Sequence, residues 1–347
     1  MTSVAGQPSL APQSSSRPLI AFWDESIILN LLRYVMSLTA MIGNTFLLAI
    51  LCKYKCLRTS QCNLFIGILA VSDFLVGVGL MCRANYALYA ASQHQIYFTK
   101  SMCALVNLTQ GIGLNIAKTA VLSIALDRLF AVCRPLKYNR YNWYAVGFAF
   151  VCIIFFLISF LFLHLYRIDD STKIFVCSMG PSAGPYASFW SGLFSQVCAV
   201  ILCVVYITTL VVFFRKTNGA MSVAGQDQRY QMAQTKLTIS VMILLLMYTF
   251  TWTSPHILGY IAGYTSYREL ISTHGTFIIG FVTGINSASS FFIYYFKHDE
   301  IRRCIKDYIR QLIASANPRS SKVTQLSYAP NKQSKLSQPN SFVLGVK

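Results

Sequence analysis

The sequence predicts an all-α membrane protein: a bundle of seven transmembrane helices followed by a short amphipathic eighth helix in the cytosol. Three observations predict this fold class. The 347 residues are 55% hydrophobic and only 12% charged, whereas soluble proteins are about 25% charged. Seven apolar segments are each long enough to cross a bilayer. The charges are concentrated in the short loops between those segments and near the end of the chain.

The predicted organisation has three parts. Residues 1–26 are expected to form a flexible extracellular tail, residues 27–312 the transmembrane bundle with its amphipathic helix, and residues 313–347 a disordered cytosolic tail, because both tails are polar and poor in large apolar residues. The seven predicted spans are Ile27–Cys52, Cys62–Tyr89, Ser101–Cys133, Tyr144–Leu165, Ala187–Phe214, Gln234–Ile261 and Leu270–Phe296.

The distribution of charge predicts the orientation in the membrane. Cations follow the odd-numbered spans: Lys53, Lys55 and Arg58, then Arg134, Lys137 and Arg140, then Arg215, Lys216 and Arg229. The opposite loops contain fewer cations and include Asp169, Asp170 and Glu269. Cytosolic loops are the basic ones, so the amino terminus is expected outside and the carboxyl terminus in the cytosol. The net charge of +18 therefore reflects topology, and no nucleic-acid partner is expected.

The segment after the last span, Asp299–Leu312, predicts a helix that lies on the anionic inner leaflet, with membrane lipid as its partner. Its apolar residues share one face and its cations lie elsewhere: Ile301, Ile305, Tyr308, Ile309 and Leu312 against Arg302, Arg303, Lys306 and Arg310. Cys304 in this helix has two interpretations, a palmitoylation site or an ordinary packed cysteine.

The third span carries three charges, Lys118, Asp127 and Arg128. A charge within a spanning helix costs about 2.5–3.5 kcal/mol on insertion scales, so these side chains are expected to face the bundle interior. Asp73 lies about 16 Å past Cys62, and Lys118 about 15 Å before Arg128, at the helical rise per residue. Because these depths match, either the two charges pair with each other or each has a polar partner of its own.

A set of polar residues is predicted to share the cytosolic half of the bundle: Asn44, Asp73, Asn286, Ser287 and Ser290. They indicate a hydrated network between spans one, two and seven. The alternative is simple interhelical hydrogen bonding, worth well under about 2 kcal/mol per pair. A network is favoured because an aspartate needs more than one partner.

Pro255 lies midway along the sixth span. Proline removes a backbone hydrogen bond and kinks a helix. The kink is either static or a pivot that lets the cytosolic half of the span swing outward.

Two cysteines are predicted to form a disulfide on the outer side. Cys103 lies near the start of the third span, and Cys177 lies in the loop between spans four and five. The extracellular side is oxidising, and no other cysteine lies clearly on it. Most of the remaining cysteines fall within apolar segments, so neither a metal site nor a cofactor is expected.

The order and spacing of these features resemble the rhodopsin-like (class A) G-protein-coupled receptors. The residues that carry the resemblance are Gly43-Asn44, Ala70-Val71-Ser72-Asp73, Cys103, Asp127-Arg128-Leu129, Pro135, Cys177, Pro255, Asn286-Ser287 and Tyr294. Four runs resemble more closely the nematode serpentine chemoreceptors of class sx: Cys62–Gly67, Asp73-Phe74, Cys133–Tyr138 and Ser290–Tyr295.

The resemblance implies a function and a set of switch residues. It implies a chemosensory receptor, and no enzyme, that binds an extracellular small molecule or peptide. Outward movement of the sixth helix would then open a site for the carboxyl-terminal helix of Gα in a heterotrimeric G protein. The implied switch residues are Asp127, Arg128, Tyr206, Pro255 and Tyr294. A seven-helix ligand-gated channel or transporter is the alternative, although the sequence has no inverted repeat.

The sequence departs from the class A pattern in ways that are expected to raise basal activity or shift coupling. Leu129 follows Asp127-Arg128 where the family has tyrosine, and Ser290-Phe291 replaces the Asn-Pro before Tyr294. Span five has Cys198 or a neighbour where a proline is usual, and Trp252 lies three residues before Pro255 rather than two.

Six polar residues in the outer half of the bundle are ligand-binding candidates: Arg83, Tyr86, Asn107, Gln110, His256 and Tyr260. Arg83 lies about 15 Å outward of Asp73 at helical rise. The alternative role of Arg83 is to extend its side chain to the membrane interface. The alternative role of the other five residues is packing. Gln110 stands where amine receptors of the family carry a carboxylate, so an acidic small molecule or a peptide carboxylate is favoured over an amine.

Overall fold

The computed structural model describes residues 26–95, 97–134, 143–171, 173–219, 246 and 268–316. Within them the chain forms α1 (Ile27–Lys53), α2 (Lys55–Arg58), α3 (Gln61–Ser92), α4 (Lys100–Cys133), α5 (Trp143–Leu165), α6 (Met179–Ser182), α7 (Pro185–Gly219), α8 (Arg268–Lys297) and α9 (Asp299–Ala316). The predicted spans one to five and seven correspond to α1, α3, α4, α5, α7 and α8. The sixth span, Gln234–Ile261, lies outside the described residues except for Leu246.

Among the residues that the structure describes, four helices are long and apolar enough to cross a membrane: Ile27–Lys53, Gln61–Ser92, Tyr144–Leu165 and Phe189–Phe213. The 34-residue α4 is not among them, because its amide and charged side chains reduce its hydropathy. Those same side chains are buried, as the prediction of inward-facing charges requires. The helices begin and end within a few residues of the predicted bounds, except that α7 runs five residues beyond Phe214.

The helix α4 has a central position in the described part of the bundle. It packs against α3, α5, α6 and α7, while α1 and α8 pack against α3 and against each other. Glycines bring α3 and α4 close together. A Cβ added at Gly79 would lie 2.5 Å from the backbone nitrogen of Gln110, and one at Gly113 would lie 2.6 Å from the carbonyl oxygen of Ser72. Only glycine fits at these two positions without moving a backbone.

The loop between α5 and α7 is attached to α4 by three contacts. The predicted disulfide between Cys103 and Cys177 is present, with Cα atoms 5.3 Å apart. Phe98 and Ile174 exchange backbone hydrogen bonds of 2.8 and 3.1 Å. The backbone N–H of Ser101 donates to the Asp170 carboxylate at 2.9 Å. Together they hold the loop at the amino-terminal end of α4.

The amphipathic helix extends four residues beyond the predicted end at Leu312, because no proline or glycine interrupts it before Ala316. By compactness the chain divides into Met1–Arg302 and Arg303–Lys347, so this helix crosses the division. Each part contains one ion pair between residues that are three positions apart in sequence. Arg302 and Asp299 form one at 2.5 Å, and the second is Arg310 with Asp307 at 3.4 Å. Both pairs are exposed, so each contributes at most about 1 kcal/mol.

Candidate functional site

The predicted switch pair, Asp127 and Arg128, is buried near the carboxyl-terminal end of α4. The Nε of Arg128 donates to Oδ2 of Asp127 at 2.9 Å, and Nη2 contacts the same oxygen. The Arg128 side chain is 2% exposed and the Asp127 side chain is 1% exposed. Removing one partner of a buried pair leaves an uncompensated charge, which costs about 3–5 kcal/mol. The neighbouring carboxylate therefore holds the arginine in this conformation.

Tyr294 and His298 lie at the end of α8 and beyond it, on the same side of the bundle. The backbone N–H of His298 donates to the carbonyl of Tyr294 at 2.9 Å. Burial lowers the pKa of His298 to about 4, and the positive charge of Arg128 acts in the same direction. Sequence reasoning missed His298. The available signal was a histidine directly after the last span, followed by Asp299.

The polar core contains hydrogen bonds that join α1, α3 and α8. The hydroxyl of Ser287 on α8 donates to the Asp73 carboxylate on α3 at 2.8 Å. The Nδ2 of Asn44 on α1 donates to the Ser287 carbonyl at 3.2 Å. Ser290 donates to the Asn286 carbonyl at 3.1 Å. All five residues are buried, and the first two bonds join α8 to α3 and α1, while the third lies within α8.

Lys118 is buried at mid-span and contacts α7. Its Nζ donates to the Ser195 hydroxyl at 2.6 Å and lies 5.5 Å from the centroid of the Phe194 ring. Asp73 accepts from Ser287 instead. These contacts fit the alternative in which the two charges have separate polar partners. Ser195 was not identified from the sequence, because a serine in an apolar span carries no signal of its own.

Three ligand-binding candidates on α3 and α4 are buried in the half of the bundle that also contains the disulfide. Arg83 is 3% exposed, and its guanidinium lies against Gly280 of α8, so it is not at the interface as snorkelling would require. The Nδ2 of Asn107 donates to the Cys103 carbonyl at 2.8 Å. Gln110 lies against Gly79 at the close approach of α3 and α4.

Of the remaining candidate residues, two are described and three are not. Tyr86 packs on Phe98, with ring centroids 5.6 Å apart, beside the disulfide. Tyr206 lies on α7 and is half-buried. Pro255, His256 and Tyr260 lie outside the described residues.

A second arginine, Arg33, is buried in the same half of the bundle and was not identified from the sequence. Arg33 on α1 is 1% exposed, and its Nη1 donates to Oδ1 of Asn30 at 2.8 Å. The signal was present, because a cation six residues into an apolar span is as unusual as the charges of the third span. The adjacent Tyr34 hydroxyl contacts the amide oxygen of Asn85 on α3.

Comparison with known proteins identifies this arrangement. The family of serpentine type seven-transmembrane G-protein-coupled chemoreceptors called Srsx matches residues 37–309. Prokineticin receptor 2 of Bos taurus is 27% identical over 267 residues, which cover 73% of this chain and 66% of that receptor. The Homo sapiens receptor matches with the same values. The Mus musculus receptor is 34% identical over 127 residues, or 37% of this chain and 32% of that receptor.

The chain thus spans about two thirds of the length of the first two relatives that it matches. Both the family and the relatives are G-protein-coupled receptors, so a channel or transporter is not favoured. The family match and the apolar helices make this a multi-pass membrane protein. The chain belongs to the Srsx family of serpentine seven-transmembrane G-protein-coupled chemoreceptors.

Proposed function

We propose that this protein binds an extracellular ligand in the outer half of the bundle and activates a heterotrimeric G protein on the cytosolic side. One observation carries the proposal. A single buried helix, α4, joins the disulfide at Cys103 to the Asp127–Arg128 pair. The distance from Cys103 to Arg128 is about 37 Å at helical rise, which exceeds the hydrocarbon thickness of about 30 Å. The two ends therefore lie at opposite interfaces, with Cys103 outside in the proposed orientation.

The mechanism is a ligand-driven shift between two conformations. In the inactive one, Asp127 holds Arg128. In the active one, the cytosolic half of the sixth span swings outward about Pro255 and exposes Arg128 and Tyr294 to the carboxyl-terminal helix of Gα. A ligand moves this equilibrium only by its differential affinity for the two states, and about 5.5 kcal/mol converts 1:99 into 99:1.

The ligand class follows from the candidates in the outer half. Arg83 supplies a cation, and Asn107 and Gln110 supply amides on the facing helix. Tyr86, together with His256 and Tyr260 of the sixth span, completes the candidate set. The set contains a cation and no carboxylate, which favours an acidic small molecule or a peptide that presents a carboxylate.

A ligand screen in cells that express a panel of Gα reporters tests this proposal. Arg83→Ala is expected to abolish the response to an acidic hit, and Arg83→Lys to retain part of it, at equal surface expression. Arg58→Ala is the matched control, because Arg58 is exposed in the first basic loop. An unchanged dose–response curve for Arg83→Ala would rule out this assignment. A ligand-evoked current in cells that lack G proteins would instead favour a channel.

A further inference from the structure

A cavity of about 1020 Å³ lies between α4, α5 and α7, outside both the polar core and the ligand candidates. Its floor is α4, where Asn115, Thr119 and Ser123 face it, and it reaches Asp127 of the switch pair. Its walls are α5 and α7, which are lined mainly by aromatic and aliphatic side chains. This cavity is called the α4–α5–α7 groove below.

The groove opens toward the bilayer and not toward water. Phe155 of α5 and Trp190 of α7 line it and are 63% and 49% exposed. Both helices include segments that are long and apolar enough to cross a membrane, so the medium at this opening is hydrocarbon. An occupant that enters here is therefore an apolar chain from the lipid phase.

The length of the groove suits a lipid chain that extends from one interface. It reaches along α4 from Arg134 to Asn115, about 28 Å at helical rise. This is close to the hydrocarbon thickness of about 30 Å. Cys152 lines the groove on α5 and is half-buried. Its side chain is small, so an acyl chain has room beside it.

The charge at the inner end selects the headgroup. Arg134 lines this end of the groove and is exposed, and among the described residues no carboxylate lies within ion-pair distance of it. The amide of Gln61 lies at the same end. Asp127 also lines the groove, but its carboxylate is engaged by Arg128. An exposed cation at the interface matches an anionic phosphate group.

We propose that the α4–α5–α7 groove binds an anionic phospholipid, with the headgroup at Arg134 and one acyl chain between α5 and α7. A fatty acid is the alternative occupant, and the experiment below distinguishes it by adding oleate. The proposal depends on the proposed orientation only for the leaflet from which the lipid comes.

Native mass spectrometry of the purified full-length receptor, with dioleoyl phosphatidylserine or phosphatidylcholine added at equal concentration, tests this site. The wild type is expected to retain phosphatidylserine in preference to phosphatidylcholine. Arg134→Gln is expected to weaken phosphatidylserine retention about fivefold, since one cation near an anionic lipid contributes about that factor. Cys152→Trp fills the groove and is expected to reduce retention of both lipids.

Two matched controls test whether the effects are specific to the groove. Arg58→Gln removes another exposed cation from the same side of the membrane, and Ile154→Trp adds the same ring to an exposed position of α5 outside the groove. Both controls are expected to behave like the wild type. Equal retention of the two lipids, unchanged selectivity in Arg134→Gln, or preferential retention of added oleate would overturn the proposal. The assay uses neither receptor ligand nor G protein, so its failure is independent of the proposed signalling function.

Discussion

At the scale of residues, the ion pair of Asp127 and Arg128 links stability to the proposed switch. They are adjacent in sequence, and their charges are buried together near the carboxyl-terminal end of α4. A charged pair at this depth is stable only while both members are present. The same property makes the pair suitable as a switch, because a conformational change that separates the two charges must supply new partners for both.

Asp127→Asn is therefore expected to destabilise the inactive conformation by about 3–5 kcal/mol, the usual cost of breaking a buried pair. The expected results are a lower melting temperature in detergent and higher basal nucleotide exchange on the G protein. Asp299→Asn is the matched control, because it breaks the 2.5 Å pair with Arg302, whose side chains are 40% and 42% exposed. The control should cost at most about 1 kcal/mol. Equal effects of the two variants would contradict this prediction.

His298 makes stability depend on pH. Its pKa in the folded protein is about 4, below the value of about 6.5 for an unperturbed histidine. Burial is the main cause of this lower pKa, the positive charge of Arg128 acts in the same direction, and Asp299 opposes the shift. Folding favours the neutral imidazole, so its contribution is complete above pH 6.5 and is lost as the pH falls toward 4.

His298→Gln should reduce the loss of stability between pH 6.5 and 4, measured as the melting temperature relative to wild type at each pH. His94→Gln is the control, because His94 is exposed. If His298→Gln and wild type lose stability in parallel over this range, the imidazole does not carry the dependence.

At the scale of elements, the close contact between α3 and α4 decides which polar groups meet. The glycines at the contact permit a backbone separation that no side chain would allow. Gln110 lies directly at this contact, and it is buried. The burial of its amide between the two helices therefore depends on a residue that has no side chain.

Gly79→Ala is expected to lower the melting temperature, because its Cβ would lie 2.5 Å from a backbone nitrogen and one helix would have to move. Overpacking of this kind costs about 1–3 kcal/mol. Gly147→Ala is the matched control, since a Cβ there meets nothing within 4 Å. The control should stabilise α5 by about 0.5–1 kcal/mol. Destabilisation by both variants to the same extent would rule out the steric explanation.

At the scale of the whole molecule, the disulfide joins positions 74 residues apart. The chain-entropy account assigns about 4 kcal/mol to a loop of this length. Cys177→Ala is expected to lower the melting temperature and weaken ligand binding, because the loop loses the covalent one of its three attachments at α4. Cys82→Ala, at an exposed free cysteine, should change neither. A response to ligand that survives Cys177→Ala at wild-type potency would contradict the role given to the loop.

The features predicted from the sequence are local, whereas those that were missed depend on how the helices pack. Hydropathy is a local property, so the bounds of α1, α3, α4, α5 and α8 were predicted within a few residues. The disulfide was predicted because topology placed two cysteines on the outer side. The contact between Lys118 and Ser195 was not predicted. The sequence of an apolar helix does not indicate which of its faces packs against which neighbouring helix.

The amino-acid sequence by itself determined the membrane class, the helical spans and the family, since each follows from composition, spacing or motif order along one segment. Only the tertiary structure decided that Lys118 contacts Ser195, that His298 lies near Arg128 and that a groove remains between α5 and α7. The physical reason is that these features depend on the rotation and separation of helices distant in sequence. Packing sets both quantities, and no local pattern encodes them.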